Sequence, residues 1–199
     1  MDSSPEPEAG LSAELTGQLA AELDFLRGEV TRLKARLEEA ESLADTDVLA
    51  PVLNRRAFVR ELNRIIAFVG RYQSSAALLY FDLDGFKGVN DRYGHAAGDA
   101  ALRTVAGRLL AHVRVSDIVG RLGGDEFAVI LVQADDAVAR AKAEFLTRML
   151  ATDPVSFDGE EIAIRATCGV CMLEPELAAE QALSRADAAM FLRKPALRG

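Results

Sequence analysis

Between Leu19 and Ala44 the apolar residues return in alternating steps of four and three: Leu19, Leu23, Leu26, Val30, Leu33, Leu37, Ala40 and Ala44. That spacing is a heptad seam, with Leu19, Leu26, Leu33 and Ala40 at d and Leu23, Val30, Leu37 and Ala44 at a. No proline interrupts residues 11–44, so a helix is predicted there, behind a disordered tail over 1–10. In a parallel dimer each g residue faces the e residue five places on in the partner. Glu22 then meets Arg27, Glu29 meets Lys34 and Arg36 meets Glu41, and all three pairs are complementary. The expected unit is a parallel dimeric coiled coil with a seam roughly 40 Å long. Gly28 falls at an f position, outside the seam.

After "ADTDVLAP" the period changes, and a domain over 45–199 is expected. Residues 54–72 form a helix with Phe58, Leu62, Ile65 and Val69 on one face. "AALLYFDL" (76–83) is a short apolar run, read as a strand that ends in an acid. A helix over 96–113 follows, then strands over 116–122 and 126–133. A helix over 136–150, strand material over 158–173 opening on a turn at "FDGEE", and a last helix over 178–194 complete the order. Strand, helix, strand, strand, helix, strand is the split βαβ pattern, so the fold class is α+β, ferredoxin-like.

That topology bears on the stretch "RLGGDEFAVIL" (121–131). In a split βαβ sheet the third strand lies antiparallel between the first and second. The end of the first strand therefore meets the start of the third, and Asp82 comes close to Asp125 and Glu126. Three carboxylates at one sheet edge repel each other unless something positive sits among them. Mg²⁺ fits, being oxygen-liganded and held by one or two carboxylates plus substrate phosphates. Gly123 and Gly124 suit a tight hairpin and leave room for a ligand. The loop "FDLDGFKGVNDRYGHAAGD" (81–99) adds Lys87, able to neutralise phosphate, and Asn90 and Asp99, whose groups can read the N1–H and N2–H₂ edge of guanine.

Half of the 199 residues are hydrophobic, enough for a sizeable core. The net charge of −8 disfavours non-specific binding to nucleic acid or an anionic membrane, though not to a nucleotide held by a metal or local cations. No apolar run is long enough to span a bilayer, and "MDSSPEPEAG" lacks the basic and apolar regions of a signal peptide, so a cytoplasmic location is expected. Cys168 and Cys171 form a C-x-x-C, but zinc would need two more ligands and the chain offers only His95 and His112. On an alternating strand the two thiols face opposite sides, so they are read as strand residues without a cofactor.

Four ordered motifs resemble the GGDEF family, the diguanylate cyclases: "GGDEF" at 123–127, "FDLDGFKGVNDRYGHAAGD" at 81–99, "NRRAF" at 54–58 and "RADAAMFLRK" at 185–194. The resemblance covers residues 45–199 and implies a GGDEF palm-type domain. It implies a nucleotidyltransferase that condenses two GTP into cyclic di-GMP with release of two pyrophosphates, working as a homodimer whose two sites face each other. By matched position Asp82 and the Leu83 carbonyl hold metal, and so does Asp125, which also accepts the proton. Glu126 is a further acidic contact at the metals, and two Mg²⁺ or Mn²⁺ ions are implied per site. Lys87 stabilises the transition state, Asn90 and Asp99 read guanine, and Lys194 and Arg198 contact the triphosphate. "RVSD" resembles the family's R-x-x-D, so Arg114 and Asp117 form an inhibitory site for cyclic di-GMP. With no sensor domain visible, the coiled coil is the expected control element and the place where a regulatory protein would act. The alternative is a catalytically silent GTP or cyclic di-GMP receptor that signals by protein contact. The chain departs from the family where Ala50 and Pro51 replace a Thr-Gly pair, and in Pro195 and Leu197 near its end.

Overall fold

The computed structural model describes residues 8–43 and 45–194, with side chains over 17–34 and 45–194. The chain divides into two compact units, Met1–Ala44 and Asp45–Gly199. Among the described residues the first is one helix, α1 (Glu8–Leu43). It begins ahead of the predicted start at Leu11, so residues 8–10 are helical rather than part of a tail. An acid at the first helical position complements the helix dipole, and Ala9 is a strong helix former. Within the described stretch Leu19, Leu23, Leu26, Val30 and Leu33 are each at least half exposed, so the single chain leaves this seam bare. Glu29 pairs with Arg32 of the same helix at 2.6 Å and Asp24 with Arg27 at 3.5 Å. The remaining seam positions Leu37, Ala40 and Ala44, and the charges of Arg36 and Glu41, lie outside the described side chains. No described helix is long and apolar enough to cross a membrane.

The second unit is built on strands β1 (Ala76–Leu83), β2 (Ile118–Gly123), β3 (Glu126–Val132) and β6 (Ala166–Met172), in the order β2-β3-β1-β6 and antiparallel throughout. The third strand lies between the first two, as the split βαβ pattern requires. The alternation of β1 divides the core. Ala77, Leu79, Phe81 and Leu83 pack under α4 (His95–Ala111) and α5 (Asp136–Thr152). Ala76, Leu78 and Tyr80 face α2 (Arg55–Tyr72) and α6 (Ala179–Phe191). Cys168 belongs to the first core and Cys171 to the second, both as free thiols, and burial pushes the Cys168 thiol up to about 12.

Two elements refine the expected order. Strands β4 (Val155–Phe157) and β5 (Glu160–Ile162) form a small hairpin. Its turn residues Asp158 and Gly159 have φ of 49° and 82°, the left-handed pair of a tight hairpin turn. The segment after β1, expected as a loop, contains the helix α3 (Phe86–Tyr93). Gly88, Asn90 and Asp91 are weak helix formers, so propensity hid it. Tertiary packing makes it: a Cβ at Gly98 of α4 would run into Asn90 Oδ1 and meet Phe86 Cζ at 3.2 Å, so the two helices touch where Gly98 has no side chain.

The segment leading into the domain docks on β2. Leu53 N–H donates to Val119 O (3.1 Å) and Arg121 N–H to Leu53 O (2.8 Å). Ala50 and Val52 are buried. Val52 N–H donates to Ala50 O across Pro51 at 2.8 Å, a three-residue turn that suits proline's fixed φ.

Candidate active site at the sheet edge

Asp82 is the next-to-last residue of β1, and Glu126 opens β3. They are direct cross-strand partners, so their side chains leave the same face. Leu83 N–H donates to the Asp125 carbonyl at 3.2 Å, which ties the GGD turn to the end of β1. The three carboxylates thus come from adjacent strand tips, although Asp82 and Asp125 are far apart in sequence.

Lys194, just past α6, places its Nζ 2.8 Å from Asp82 Oδ1. That hydrogen bond, with the charges of Asp82, Asp84 and Asp125 around it, raises the lysine's pKa despite partial burial. Burial raises the Asp125 carboxyl above the usual range, and the Asp82 charge adds to this; a backbone hydrogen bond, Lys194 and Arg121 oppose it. Glu126 lies over Gly123, where an added Cβ would meet its Oε2 at 3.3 Å. Its charge also acts on the buried phenol of Tyr80, whose pKa rises chiefly through burial.

The remaining described candidates do not all share this edge: Arg114 and Asp117 sit at the opposite end of the strands, beside Val132. Asn90 rests against Gly98, the residue before Asp99, so α3 and α4 bring the two proposed base-reading groups into one neighbourhood. Lys87 is exposed on α3. Gly124 has a φ of 26° and Gly123 sits at a register shift between β2 and β3, so the turn needs the freedom of glycine. Arg198 lies outside the described residues. Arg114 and Asp117 lie before β2, and a cavity of about 410 Å³ between them and α5 is walled by Leu131, Val138 and Phe145. Asp117 serves the fold there: Oδ1 accepts from Val132 N–H (3.1 Å) and Oδ2 from Arg114 N–H (2.9 Å).

Among the described residues no three His, Cys, Asp or Glu side chains form a complete metal cage. The donor set still fits a hard divalent cation, which needs only one or two carboxylates when phosphates complete its shell. Asp82 and Asp125 are the carboxylates at this edge that could offer those oxygens. The Lys194 ammonium on Asp82 already stands where a positive charge is favoured.

Sequence reasoning did not find Arg121 or Asp47. Arg121 Nε and Nη2 donate to the Gly124 carbonyl at 3.0 and 2.7 Å, and Nη1 to Asp47 Oδ1 at 3.0 Å. The signal was a lone charged residue inside an apolar strand, two places before the paired glycines.

Residues 44–199 match the family described as "Diguanylate cyclase, GGDEF domain". The diguanylate cyclase TpbB of Pseudomonas aeruginosa is 39% identical over 200 residues, covering 97% of this chain and 45% of that protein. The diguanylate cyclase DgcP of the same species is 33% identical, covering 98% of this chain and 30% of that protein. The chain thus spans less than half the length of these relatives. Among solved structures, the coiled coil and GGDEF domain of DgcB from Caulobacter crescentus, in complex with c-di-GMP, superposes with a TM-score of 0.72 at 30% identity, covering 87% of this chain and 92% of that one. The diguanylate cyclase SiaD in complex with its activator SiaC, from Pseudomonas aeruginosa, gives 0.71 at 28% identity, covering 92% and 72%.

Proposed function

This chain belongs to the diguanylate cyclase GGDEF-domain family, and on that premise we propose that it condenses two GTP molecules into cyclic di-GMP, releasing two pyrophosphates. The observation that carries the reading is the cross-strand pairing of Asp82 with Glu126, with Asp125 bonded beside them to Leu83. An acidic edge of this kind takes the phosphates of a nucleotide only with cations. Asp82, Asp125 and the Leu83 carbonyl would hold Mg²⁺ or Mn²⁺, two per site, with Glu126 as a further acidic contact. When bound, the metals neutralise phosphoryl charge and activate the attacking oxygen.

The chain's own residues do the rest. Asn90 and Asp99 bind and orient guanine, Lys194 and Arg198 hold the triphosphate, and Lys87 faces the phosphoryl charge. The 3′-hydroxyl of one nucleotide attacks the α-phosphorus of the other, and pyrophosphate leaves. Asp125 takes the hydroxyl proton. Gly123 and Gly124 let the backbone approach the phosphates.

Each subunit contributes one nucleotide, so two copies must meet. The bare seam of α1 supports pairing through a parallel coiled coil, since five apolar side chains otherwise stay in water. SiaD is described with an activator protein, and a regulator acting on this helix is proposed here by analogy. Arg114 is exposed beside the Asp117 turn and offers a guanidinium to cyclic di-GMP as a product-inhibition site. Retention of Asp82, Asp125 and Glu126 favours a cyclase over a silent receptor. Purified protein given GTP and Mg²⁺ is expected to yield a cyclic dinucleotide on chromatography. Nucleotide binding without product would establish the receptor instead.

A further inference from the structure

The paired glycines that open the edge to phosphate leave the turn carrying Asp125 without side chains to hold it. Something else must fix the Gly124 peptide, and one residue does. Arg121 directs two guanidinium nitrogens at the Gly124 carbonyl, 3.0 and 2.7 Å away, and the third at Asp47 Oδ1, 3.0 Å away. The same Asp47 oxygen accepts Leu49 N–H and Ala50 N–H, each at 3.0 Å, so the carboxylate is immobilised by the lead-in turn. Both charged side chains are only 14% exposed, where such bonds are less screened than in water. The Arg121 backbone is held from the same side, through its N–H to Leu53 O.

We infer that Arg121 is a positioning residue: braced on Asp47, its guanidinium sets the Gly124 peptide and so the place of Asp125 against Asp82. The inference rests on the cyclase reading for what the turn does, and on the hydrogen bonds alone for what holds it. The geometry makes the lead-in segment 45–53 part of the active-site scaffold. A planar fork is required, because a single ammonium cannot reach one carbonyl twice and a carboxylate besides.

The test compares the full chain with Arg121→Lys, Asp47→Asn and the double variant. Mn²⁺ binding is followed by electron paramagnetic resonance in the presence of a GTP analogue blocked at the α–β bridge. Thermal melts verify folding, and kcat and KM are measured with GTP. Arg121→Lys is expected to weaken Mn²⁺ binding about tenfold, the size typical of lost outer-shell support, and to lower kcat more than it raises KM. Asp47→Asn should give a smaller loss of the same kind. The double variant should be no worse than Arg121→Lys, since the two residues act as one brace. Parent-like Mn²⁺ affinity in a folded Arg121→Lys would overturn the inference, as would losses that simply multiply in the double variant. If Arg121→Lys fails to fold, Asp47→Asn decides, and unchanged Mn²⁺ affinity there counts against the brace. A parent that binds Mn²⁺ but makes no cyclic dinucleotide would refute the cyclase reading and leave this comparison intact.

Discussion

Burial and the charge of Asp82 raise the pKa of Asp125, against a backbone hydrogen bond, Lys194 and Arg121. Asp125→Asn keeps the shape and removes the proposed base. Turnover should fall at least about 100-fold while the circular dichroism spectrum is unchanged. The raised pKa also makes a stability prediction. The folded chain holds this proton more tightly than the unfolded one. That contribution is therefore full below the ordinary value of 3.8 and is lost as pH rises through the folded value. In metal-free buffer Asp125→Asn should melt higher than the parent near neutral pH, and the advantage should vanish towards pH 3.8. Lys194 gives a second test. Its ammonium sits 2.8 Å from Asp82 Oδ1, so Lys194→Met should bind Mn²⁺ alone more tightly than the parent, while its KM for GTP rises. Weaker Mn²⁺ binding in that variant would show that the lysine supports the cation site instead of competing for it. The acids themselves were legible in the sequence, because the split βαβ pattern forces Asp82 beside the GGD turn. Arg121 was not. On a strand an isolated polar residue looks like an outward-facing side chain, and it is the hydrogen bonds to the Gly124 carbonyl that show it bending back over the turn.

The element that brings Lys194 to the edge is α6, seated on β6 through Gly169. A Cβ there would run into the Ala186 carbonyl and the Met190 amide, and meet Met190 Cα at 2.9 Å. Lys194 N–H in turn donates to Met190 O at 3.1 Å, so displacing the helix displaces the lysine. Gly169→Ala should cost about 1–3 kcal/mol by overpacking, seen as a lower midpoint in urea, and should raise KM for GTP with it. A fully stable Gly169→Ala would mean that α6 can move without strain. The strands were read closely: β1 spans the predicted 76–83, since an unbroken apolar run ending at an acid has few alternatives. Helix α3 was missed because Gly88, Asn90 and Asp91 speak against a helix locally, and its support comes from α4, outside any sequence window.

For the whole molecule, chain contacts part between Ala44 and Asp45, where the heptad period also gives way to α/β patterning. The described part of the seam is bare in the single chain, and the proposed reaction joins two nucleotides, one from each subunit. On that reading the chemistry needs a pair of subunits. Stability of the second unit does not need the pair, because its two cores close around the sheet within one chain. Dimer formation should therefore govern turnover without governing folding. The decisive experiment is the initial rate of cyclic dinucleotide formation from GTP and Mg²⁺, measured over a dilution series of the protein. The rate per subunit should be constant at high concentration and fall in proportion to concentration once dimers dissociate. A product-forming rate per subunit that stays constant after light scattering shows only monomers, or no product at any concentration, would contradict the two-subunit cyclase.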